Sequence, residues 1–248
     1  MRVLLTGANG RIGTAIDDHL GTEYDWTYLD RSDSRERETR VVDIADGDAV
    51  RGVVDGHDAV VHLAGDPAVD APWSSVLRNN VVGFYNVLDA AREAGVDRFV
   101  FASTNHVVAG WEAGHADELP RGELCFDSTT PPRPDSLYGA SKSFGEDLGR
   151  YYVERTGSPR TFFALRIGGV HDREHDHPWD TTRGYAWWLS RRDCAQLIDR
   201  CLRADGGGFE VFYGVSDNEQ RWCDIEHARR MIGYDPRDDA DDWRESPR

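Results

Sequence analysis

A glycine-rich loop between a short apolar run and a helical pattern constrains this chain more than any other feature. Residues 2–6 read RVLLT, Gly7, Gly10 and Gly13 follow at intervals of three, and apolar residues then recur at helical spacing as far as Leu20. Glycines in such a loop allow a tight turn and let backbone amides approach a pyrophosphate at a helix N-terminus. The sequence therefore predicts a strand, a phosphate-binding loop and a helix that begin an α/β fold.

An acidic residue lies at the end of the next predicted strand. This strand covers residues 26–29 and is followed by Asp30, which lies 20 residues beyond Gly10. A carboxylate at this distance can hold both ribose hydroxyls of an adenosine and repels a 2′-phosphate, so NAD is the predicted cofactor. Arg31 follows directly and could bind that phosphate, so NADP is the alternative cofactor. An ordinary strand-end cap is the other interpretation of Asp30.

Strands and helical patterns alternate along the rest of the chain. Further strands are predicted at 41–43, 59–63, 98–102, 162–167 and 209–213. The alternation predicts an α/β fold built on a doubly wound parallel sheet with helices on both faces. Ligands bind at the carboxyl ends of the strands in such sheets, which places Gly7, Asp30, Asp43, Ala64, Gly65, Ser103 and Thr104 along one edge. We expect a single domain over residues 1–248, with substrate-binding elements mainly at 168–190 and 209–236.

The chain contains one lysine, Lys142, among 29 basic residues. Arginine would supply the same charge, so this position predicts a need for a compact ammonium. The prolines up to Pro134 delay the surrounding helix until about Ser136, and its pattern continues to about Arg155. Tyr138 lies four residues before Lys142 and therefore on the same helical face. A neighbouring cation should lower the pKa of the Tyr138 phenol and make it a usable general base.

Two further segments carry side chains suited to a substrate. Residues 103–106 read STNH at the end of a predicted strand, and these hydrogen-bonding side chains predict an oxyanion and substrate platform. A simple polar strand-to-loop transition is the alternative, disfavoured by the presence of Tyr138 and Lys142. Arg183 precedes the aromatic segment 185–188 and predicts a binding position for an anionic group beside an aromatic wall. The alternative is a surface arginine that flanks a core helix.

The segment 171–183 contains His171, His175 and His177 together with several acids. Its composition favours a lid over a metal site, because the histidines have no recognisable ligand spacing. No metal is therefore predicted.

An asparagine pair and the C-terminal tail are the two remaining features. Asn79 and Asn80 are poor helix formers inside the helical pattern of 72–94, so they either hydrogen-bond into the site or are simply solvated. The acidic tail, 235–248, is expected to fray.

The acidic composition limits the partners that the chain can have. The formal net charge is −16 and the pI is near 4.9, which argues against nucleic-acid binding because neutralising phosphates needs clustered basic residues. The acidic excess with almost no lysine is typical of a protein kept soluble in concentrated salt, although solubility at low salt explains it equally well. No apolar run approaches membrane-spanning length, and no signal segment precedes the first strand, so we expect a cytoplasmic protein without a membrane partner.

Taken together, these motifs resemble the extended short-chain dehydrogenase/reductase superfamily, often called NAD-dependent epimerase/dehydratases. The resemblance covers residues 2–236 and implies a Rossmann-type sheet with a small C-terminal substrate-binding part. Residues 101–106 (FASTNH) and 133–138 (RPDSLY) look most like uronate dehydrogenases and, closer still, the NAD-dependent glucose-6-phosphate dehydrogenases of halophilic archaea. Pro67 and Gly169 stand where uronate dehydrogenases have substrate-binding serines, which weakens a uronate assignment.

The resemblance also implies roles for individual residues. Tyr138 would be the catalytic base, Lys142 would bind the nicotinamide ribose and lower the pKa of that tyrosine, and Thr104 would replace the usual catalytic serine. The implied substrate-binding residues are Thr104, Asn105, His106, Tyr138 and Arg183. The implied cofactor-binding residues are Gly7, Asn9, Gly10, Arg11, Ile12, Gly13, Asp30, Arg31, Asp43, Ile44, Leu63, Ala64, Gly65, Asn80, Ser103, Tyr138 and Lys142.

The function that these roles imply is NAD-dependent oxidation of a sugar at C1 to its lactone. Arg183 favours an anionic aldose, such as a sugar phosphate or a uronic acid. A nucleotide-sugar epimerase or dehydratase is the alternative, although only about 80 residues follow the sixth strand. A non-catalytic NAD(P)-sensing regulator is a third hypothesis, but a sensor needs neither Tyr138 nor Lys142. Family members often form homodimers through helices that here span about 72–94 and 137–155.

Overall fold

A central parallel sheet organises the computed structural model, which describes residues 1–171 and 181–243. The strands are β1 Arg2–Thr6, β2 Asp25–Asp30, β3 Thr39–Val41, β4 Ala59–His62, β5 Arg98–Thr104, β6 Thr161–Ile167, β7 Gly169–His171, β8 Trp188–Ser190 and β9 Gly208–Gly214. Seven of them pair in the order β3-β2-β1-β4-β5-β6-β9, all parallel, and β7 pairs with β8 separately. This confirms the predicted fold class.

Helices cover both faces of the sheet. They are α1 Arg11–Leu20, α2 Gly47–Val54, α3 Trp73–Ser75, α4 Gly83–Glu93, α5 Leu137–Tyr151, α6 Thr182–Ala186, α7 Arg191–Arg203 and α8 Glu226–Ile232. A π-helical segment, Val76–Val82, joins α3 to α4, and a second one, Tyr152–Thr156, extends α5. Short 3₁₀ turns lie at Asn105–Val107, Ala109–Gly114, Leu119–Arg121 and Ala240–Trp243.

The core lies in two layers, one on each face of the sheet. Val3 and Leu5 of β1 face one cluster, which α1 and α7 cover, whereas Leu4 faces the other cluster, beneath α2 and α4. Every residue of β4, β5 and β6 is buried, as expected for central strands covered on both faces. The shared direction of the strands brings their carboxyl ends to one edge of the sheet.

Helix α5 lies directly on β5. The Ser136 hydroxyl caps the helix by accepting a hydrogen bond from the Gly139 amide at 3.0 Å. A Cβ atom at Gly145 would stand 2.5 Å from the Phe101 ring, so only glycine allows this close approach. The close packing places the first turns of α5, with Tyr138 and Lys142, at the carboxyl edge of the sheet.

The largest differences from the predicted strand boundaries are at the third and fifth strands, and the other predicted strands differ by at most one residue at each end. The third strand ends at Val41 and not at Asp43, because the Asp43 carboxylate accepts a hydrogen bond from the Ala45 amide at 2.9 Å and begins a turn. The fifth strand continues past Ala102 to Thr104, because its last residues still pair with β6.

The C-terminal segment 235–243 does not fray, so that prediction is wrong for these residues. The buried Asp193 carboxylate accepts hydrogen bonds from the Arg237 and Asp238 amides, each at 3.0 Å. Ser190 donates to Asp238 at 2.6 Å. The segment is therefore fixed to α7 and β8. Residues 244–248 lie outside the described residues.

The predicted histidine lid falls mostly outside the described part of the chain. His175 and His177 belong to residues 172–180, so neither the lid nor its alternative is tested. Within residues 1–171 and 181–243, no group of histidine, cysteine and acidic side chains is arranged to hold a metal ion. In the same ranges, no helix combines the length and apolar character needed to cross a membrane.

Candidate active site

A cavity of about 790 Å³ runs along the carboxyl edge of the sheet. It extends from the glycine loop to α6 and falls in the size range of small-molecule and cofactor sites. Its lining includes every predicted substrate-binding residue and, apart from Asn80, every predicted cofactor-binding residue. Segment 168–190 contributes Gly168, Gly169, Val170, Arg183, Gly184 and Trp187, whereas residues 209–236 line none of it. The structure therefore brings the predicted positions together, and their roles stay predictions.

The glycine loop forms one end of this cavity. Gly7 has a φ of 72°, and a Cβ atom there would stand 2.7 Å from the Ala64 amide nitrogen. A Cβ atom at Gly13 would lie 2.2 Å from the carbonyl oxygen of Ala8. No side chain caps α1 at Gly10, so its first N–H groups are available to a ligand. This backbone cradle fits the pyrophosphate of a dinucleotide.

Asp30 stands beside the loop. Its carboxylate accepts hydrogen bonds from the Asn9 amide at 3.0 Å and from the amide and hydroxyl of Ser32 at 3.2 Å each. The buried Asn9 side-chain oxygen has no partner within the described ranges. A fixed carboxylate next to an unpaired polar atom fits an adenosine ribose, so the residues present are suited to the predicted cofactor.

The Lys142 ammonium is buried next to Tyr138. It donates to the Ala102 carbonyl at 2.7 Å and lies 4.8 Å from the Phe101 ring centre and 5.8 Å from the Tyr138 ring centre. Burial lowers the pKa of Lys142 to about 8. Thr104 is also buried, and its hydroxyl accepts a hydrogen bond from the His106 amide at 3.3 Å. The Tyr138 phenol, the Lys142 ammonium and the Thr104 hydroxyl therefore meet at one place.

The predicted lowering of the Tyr138 pKa is wrong for the residues that surround it here. Burial raises the pKa of Tyr138, and the nearby Asp66 charge raises it further. The hydrogen bond with Thr104 lowers this pKa by more than the Asp66 charge raises it, but burial outweighs both. The Lys142 ammonium donates to the Ala102 carbonyl and is not among the groups that shift the Tyr138 pKa.

His106 is held by a residue that the sequence reasoning missed as a partner. Its Nδ1 atom lies 2.8 and 3.0 Å from the two carboxylate oxygens of Asp135. The imidazole ring meets the Tyr138 ring edge-on, with 6.0 Å between centres. The carboxylate fixes the ring orientation, so Nε2 is the imidazole nitrogen left for a substrate hydroxyl.

Asn80 and Asp66 form a second pair at this edge. The Asn80 side chain accepts from the Asp66 amide at 2.7 Å and donates to the Asp66 carbonyl at 3.0 Å. Asn80 is buried within the π-helical segment, which gives a reason for a poor helix former there. It supports the loop that presents the Asp66 carboxylate to the cavity. Adjacency to Gly65 was the only sequence signal for Asp66.

Arg183 reaches the cavity but does not stand there alone. Its Nε donates to one Glu112 oxygen at 2.6 Å, and its Nη2 donates to the other at 3.2 Å. Trp187 donates to the same carboxylate at 3.1 Å. Glu112 had no sequence signal, because it lies 71 positions from Arg183 in a long irregular connection. The predicted cation is therefore present and already paired.

Comparison with known proteins agrees with this geometry. The model of the NAD dependent epimerase/dehydratase family matches residues 3–177, more than half of the chain. The chain belongs to this family. The match ends before Arg183, so the part of the cavity that is lined by Arg183, Gly184 and Trp187 lies beyond the family model.

Several proteins similar to this chain are named as sugar dehydrogenases. An NAD-dependent glucose-6-phosphate dehydrogenase of Haloferax volcanii is 45% identical, with 96% of this chain and 94% of the relative covered. The L-arabinose 1-dehydrogenase (NAD(P)(+)) of the same organism is 37% identical, with 96% and 97% covered. A solved mutant of uronate dehydrogenase from Agrobacterium tumefaciens, complexed with NAD, is 32% identical with a TM-score of 0.85, covering 100% of this chain and 90% of that one.

Proposed function

We propose that this protein is an NAD-dependent dehydrogenase that oxidises an aldose at C1 to its lactone. The observation that carries the proposal is the meeting of Tyr138, Lys142 and Thr104 in one cavity with the glycine loop. The three relatives described above, each named as a sugar dehydrogenase, support it. Asp30 supports NAD as the cofactor, because its carboxylate would repel a 2′-phosphate.

Several residues of this chain have separate roles in the proposed reaction. The Tyr138 phenolate accepts the proton of the C1 hydroxyl, and the Thr104 hydroxyl orients the oxygen that loses it. Lys142 would hold the nicotinamide ribose, and the cradle at Gly7–Gly13 would hold the pyrophosphate. The bound NAD supplies the hydride acceptor. Asn105 and His106 would position the sugar hydroxyls.

The substrate that we propose carries an anionic group, as in a sugar phosphate or a uronic acid. Arg183 is the cation that lines the end of the cavity nearest Trp187, and it can donate to such a group. Two of the relatives described above support this choice, since they are named for glucose 6-phosphate and for uronate.

The proposal is tested by incubating the protein with NAD and a panel of sugars, sugar phosphates and uronic acids. We expect net NADH, measured at 340 nm, with at least one aldose and the corresponding lactone as product. An epimerase would return its hydride and yield no net NADH, whereas a sensor would bind NAD without turning over any sugar. Either result contradicts the proposed reaction.

We also infer that the protein forms a homodimer. Large apolar side chains are exposed on the two adjacent helical elements that family members often use, with Trp73 at 56%, Tyr85 at 45%, Phe144 at 39% and Tyr151 at 55% exposure. Burying such side chains in a partner is favourable. Light scattering coupled to size-exclusion chromatography should give twice the 27.9 kDa chain mass, and a monomer at micromolar concentration would contradict the inference.

A further inference from the structure

The Glu112 carboxylate lies behind Arg183, on the side away from the cavity. Arg183 and Trp187 line the cavity, whereas Glu112 does not. The Glu112 side chain is 13% exposed and the Arg183 side chain 32% exposed. Trp187, which donates to Glu112, is itself fixed by stacking on Phe126 with ring centres 6.1 Å apart. Glu112 is therefore held by the core, and it holds Arg183 from behind.

The ion pair leaves Arg183 only part of its hydrogen-bonding capacity. A guanidinium has five N–H donors, and Glu112 takes one at Nε and one at Nη2. The Nη1 atom has no hydrogen-bond or ion-pair partner among residues 1–171 and 181–243. A ligand in the cavity can therefore contact the Nη1 edge, but the side-on fork that binds carboxylates most strongly is already used.

The positive charge of Arg183 is offset by acidic side chains of the described residues. The Glu112 charge offsets that of Arg183, and the Asp66 carboxylate also lines the cavity. Asp66 accepts hydrogen bonds from the Ala68 amide and the Ser75 hydroxyl, and no basic side chain pairs with it within the described ranges. An anionic substrate group therefore meets a compensated cation and not an isolated one.

We propose that Glu112 determines the charge selectivity of the sugar site. It positions Arg183 for a contact through one edge and offsets its charge, so that the site prefers an anionic aldose over its neutral counterpart less strongly than an unpaired arginine would. This proposal deepens the proposed function and rests on it. It predicts that Glu112, a residue that does not line the cavity, sets how strongly the site discriminates between anionic and neutral aldoses.

The variant that tests the proposal is Glu112→Gln, which keeps the size of the side chain and one acceptor oxygen. The measured quantity is kcat/KM for glucose 6-phosphate divided by kcat/KM for glucose, two probes that differ only in the phosphate. Losing one negative charge several ångströms from the phosphate should raise this ratio about tenfold. The matched control is Glu118→Gln, which removes a carboxylate from the same connection and should leave the ratio unchanged.

Two more measurements test the proposal independently of the first variant. In an Arg183→Gln background, Glu112→Gln should raise the ratio much less, because no guanidinium donors are freed and only the direct repulsion between Glu112 and the phosphate is removed. Equilibrium binding of both sugars to a Tyr138→Phe protein saturated with NAD, followed by calorimetry, gives the same comparison without turnover.

A ratio that stays at or falls below the wild-type value in Glu112→Gln, by kinetics or by binding, overturns the proposal. Absence of NADH formation by the wild-type protein with every sugar is a different result, because it contradicts the proposed function itself.

Discussion

The two ends of the cavity are built in different ways. The nucleotide end is formed by backbone from one contiguous stretch, with the loop Gly7–Gly13 and Asp30 in a single strand–helix–strand unit. The other end, where we propose that the sugar binds, depends on a side-chain pair between distant segments, Glu112 with Arg183, which are 71 positions apart. A backbone site leaves a local spacing in the sequence. A site made of distant pairs leaves none, because neither partner is unusual by itself.

Removing the Tyr138 hydroxyl should have the largest effect, because this group serves both ends. We expect Tyr138→Phe to lower kcat about 10³-fold, since general-base catalysis is lost, while NAD binding is retained. The wild-type rate should increase with pH, because burial raises the pKa of the phenol that must lose its proton. Steady-state kinetics and NAD titration measure both. Tyr151→Phe, exposed on the same helix, is the control, and equal turnover in both variants would contradict the mechanism.

A methyl group in the glycine loop should break the nucleotide end selectively. Gly13→Ala would place Cβ 2.2 Å from the Ala8 carbonyl oxygen, so the loop must shift. We expect NAD affinity to fall about 100-fold from this overpacking, as measured by calorimetry. Gly52→Ala is the matched control, because a Cβ atom there meets nothing within 4 Å. Undiminished NAD affinity in Gly13→Ala would show that the cradle is not the pyrophosphate site.

The parts of the fold and of the site that depend on local sequence patterns could be predicted, and the parts that depend on contacts between distant segments could not. The strands of the sheet, the glycine loop and the face shared by Tyr138 and Lys142 follow from local periodicity. The pairing of Arg183 does not, because an acid in an irregular connection has no period. The Tyr138 pKa was predicted in the wrong direction, since spacing along a helix shows which residues are neighbours but not how deeply they are buried.

Lys142 lies between the two ends of the cavity, and its buried charge should lower the free energy of unfolding. The pKa of Lys142 is about 8 in the folded protein and near 10.4 in the unfolded protein, so the folded protein binds this proton more weakly. Below pH 8 Lys142 is charged in both states, and its burial then lowers the free energy of unfolding. Lys142→Met should abolish turnover and yet stabilise the protein by about 2 kcal/mol near neutral pH, part of the gain being offset by the lost hydrogen bond to Ala102. The stabilisation by Lys142→Met should shrink as the pH rises from 8 to above 10, because Lys142 is then neutral in both the folded and the unfolded wild-type protein.

Urea unfolding of wild type and Lys142→Met at several pH values measures this difference. The conservative variant Lys142→Arg is the control, because it keeps the charge and should show no such gain. A Lys142→Met protein that is less stable than wild type at every pH would mean that the ammonium stabilises the fold.

The choice between NAD and NADP tests whether the Asp30 carboxylate holds the adenosine ribose, as its position after the second strand predicts. Asp30→Asn removes the charge that should hold the ribose hydroxyls and repel a 2′-phosphate. We expect the ratio of kcat/KM for NAD over NADP to fall about tenfold, the size expected for one charged hydrogen bond. Asp33→Asn, exposed in the following loop, should leave the ratio unchanged. An unchanged ratio in Asp30→Asn as well would assign Asp30 to the strand-end cap.

The smallest effect concerns the C-terminal segment 235–243, which is hydrogen-bonded to α7 and β8. Asp238→Ala removes the acceptor for the Ser190 hydroxyl at 2.6 Å and an exposed pair with Arg192, while the two amide bonds to Asp193 stay. We expect a loss of about 1 kcal/mol in unfolding free energy, because one partly buried hydrogen bond dominates. Asp235→Ala, whose carboxylate pairs with none of the described residues, should lose nothing. The KM for sugar should rise in Asp238→Ala only if β8 and α6 shift with the segment, so an unchanged KM would show that the support is purely structural.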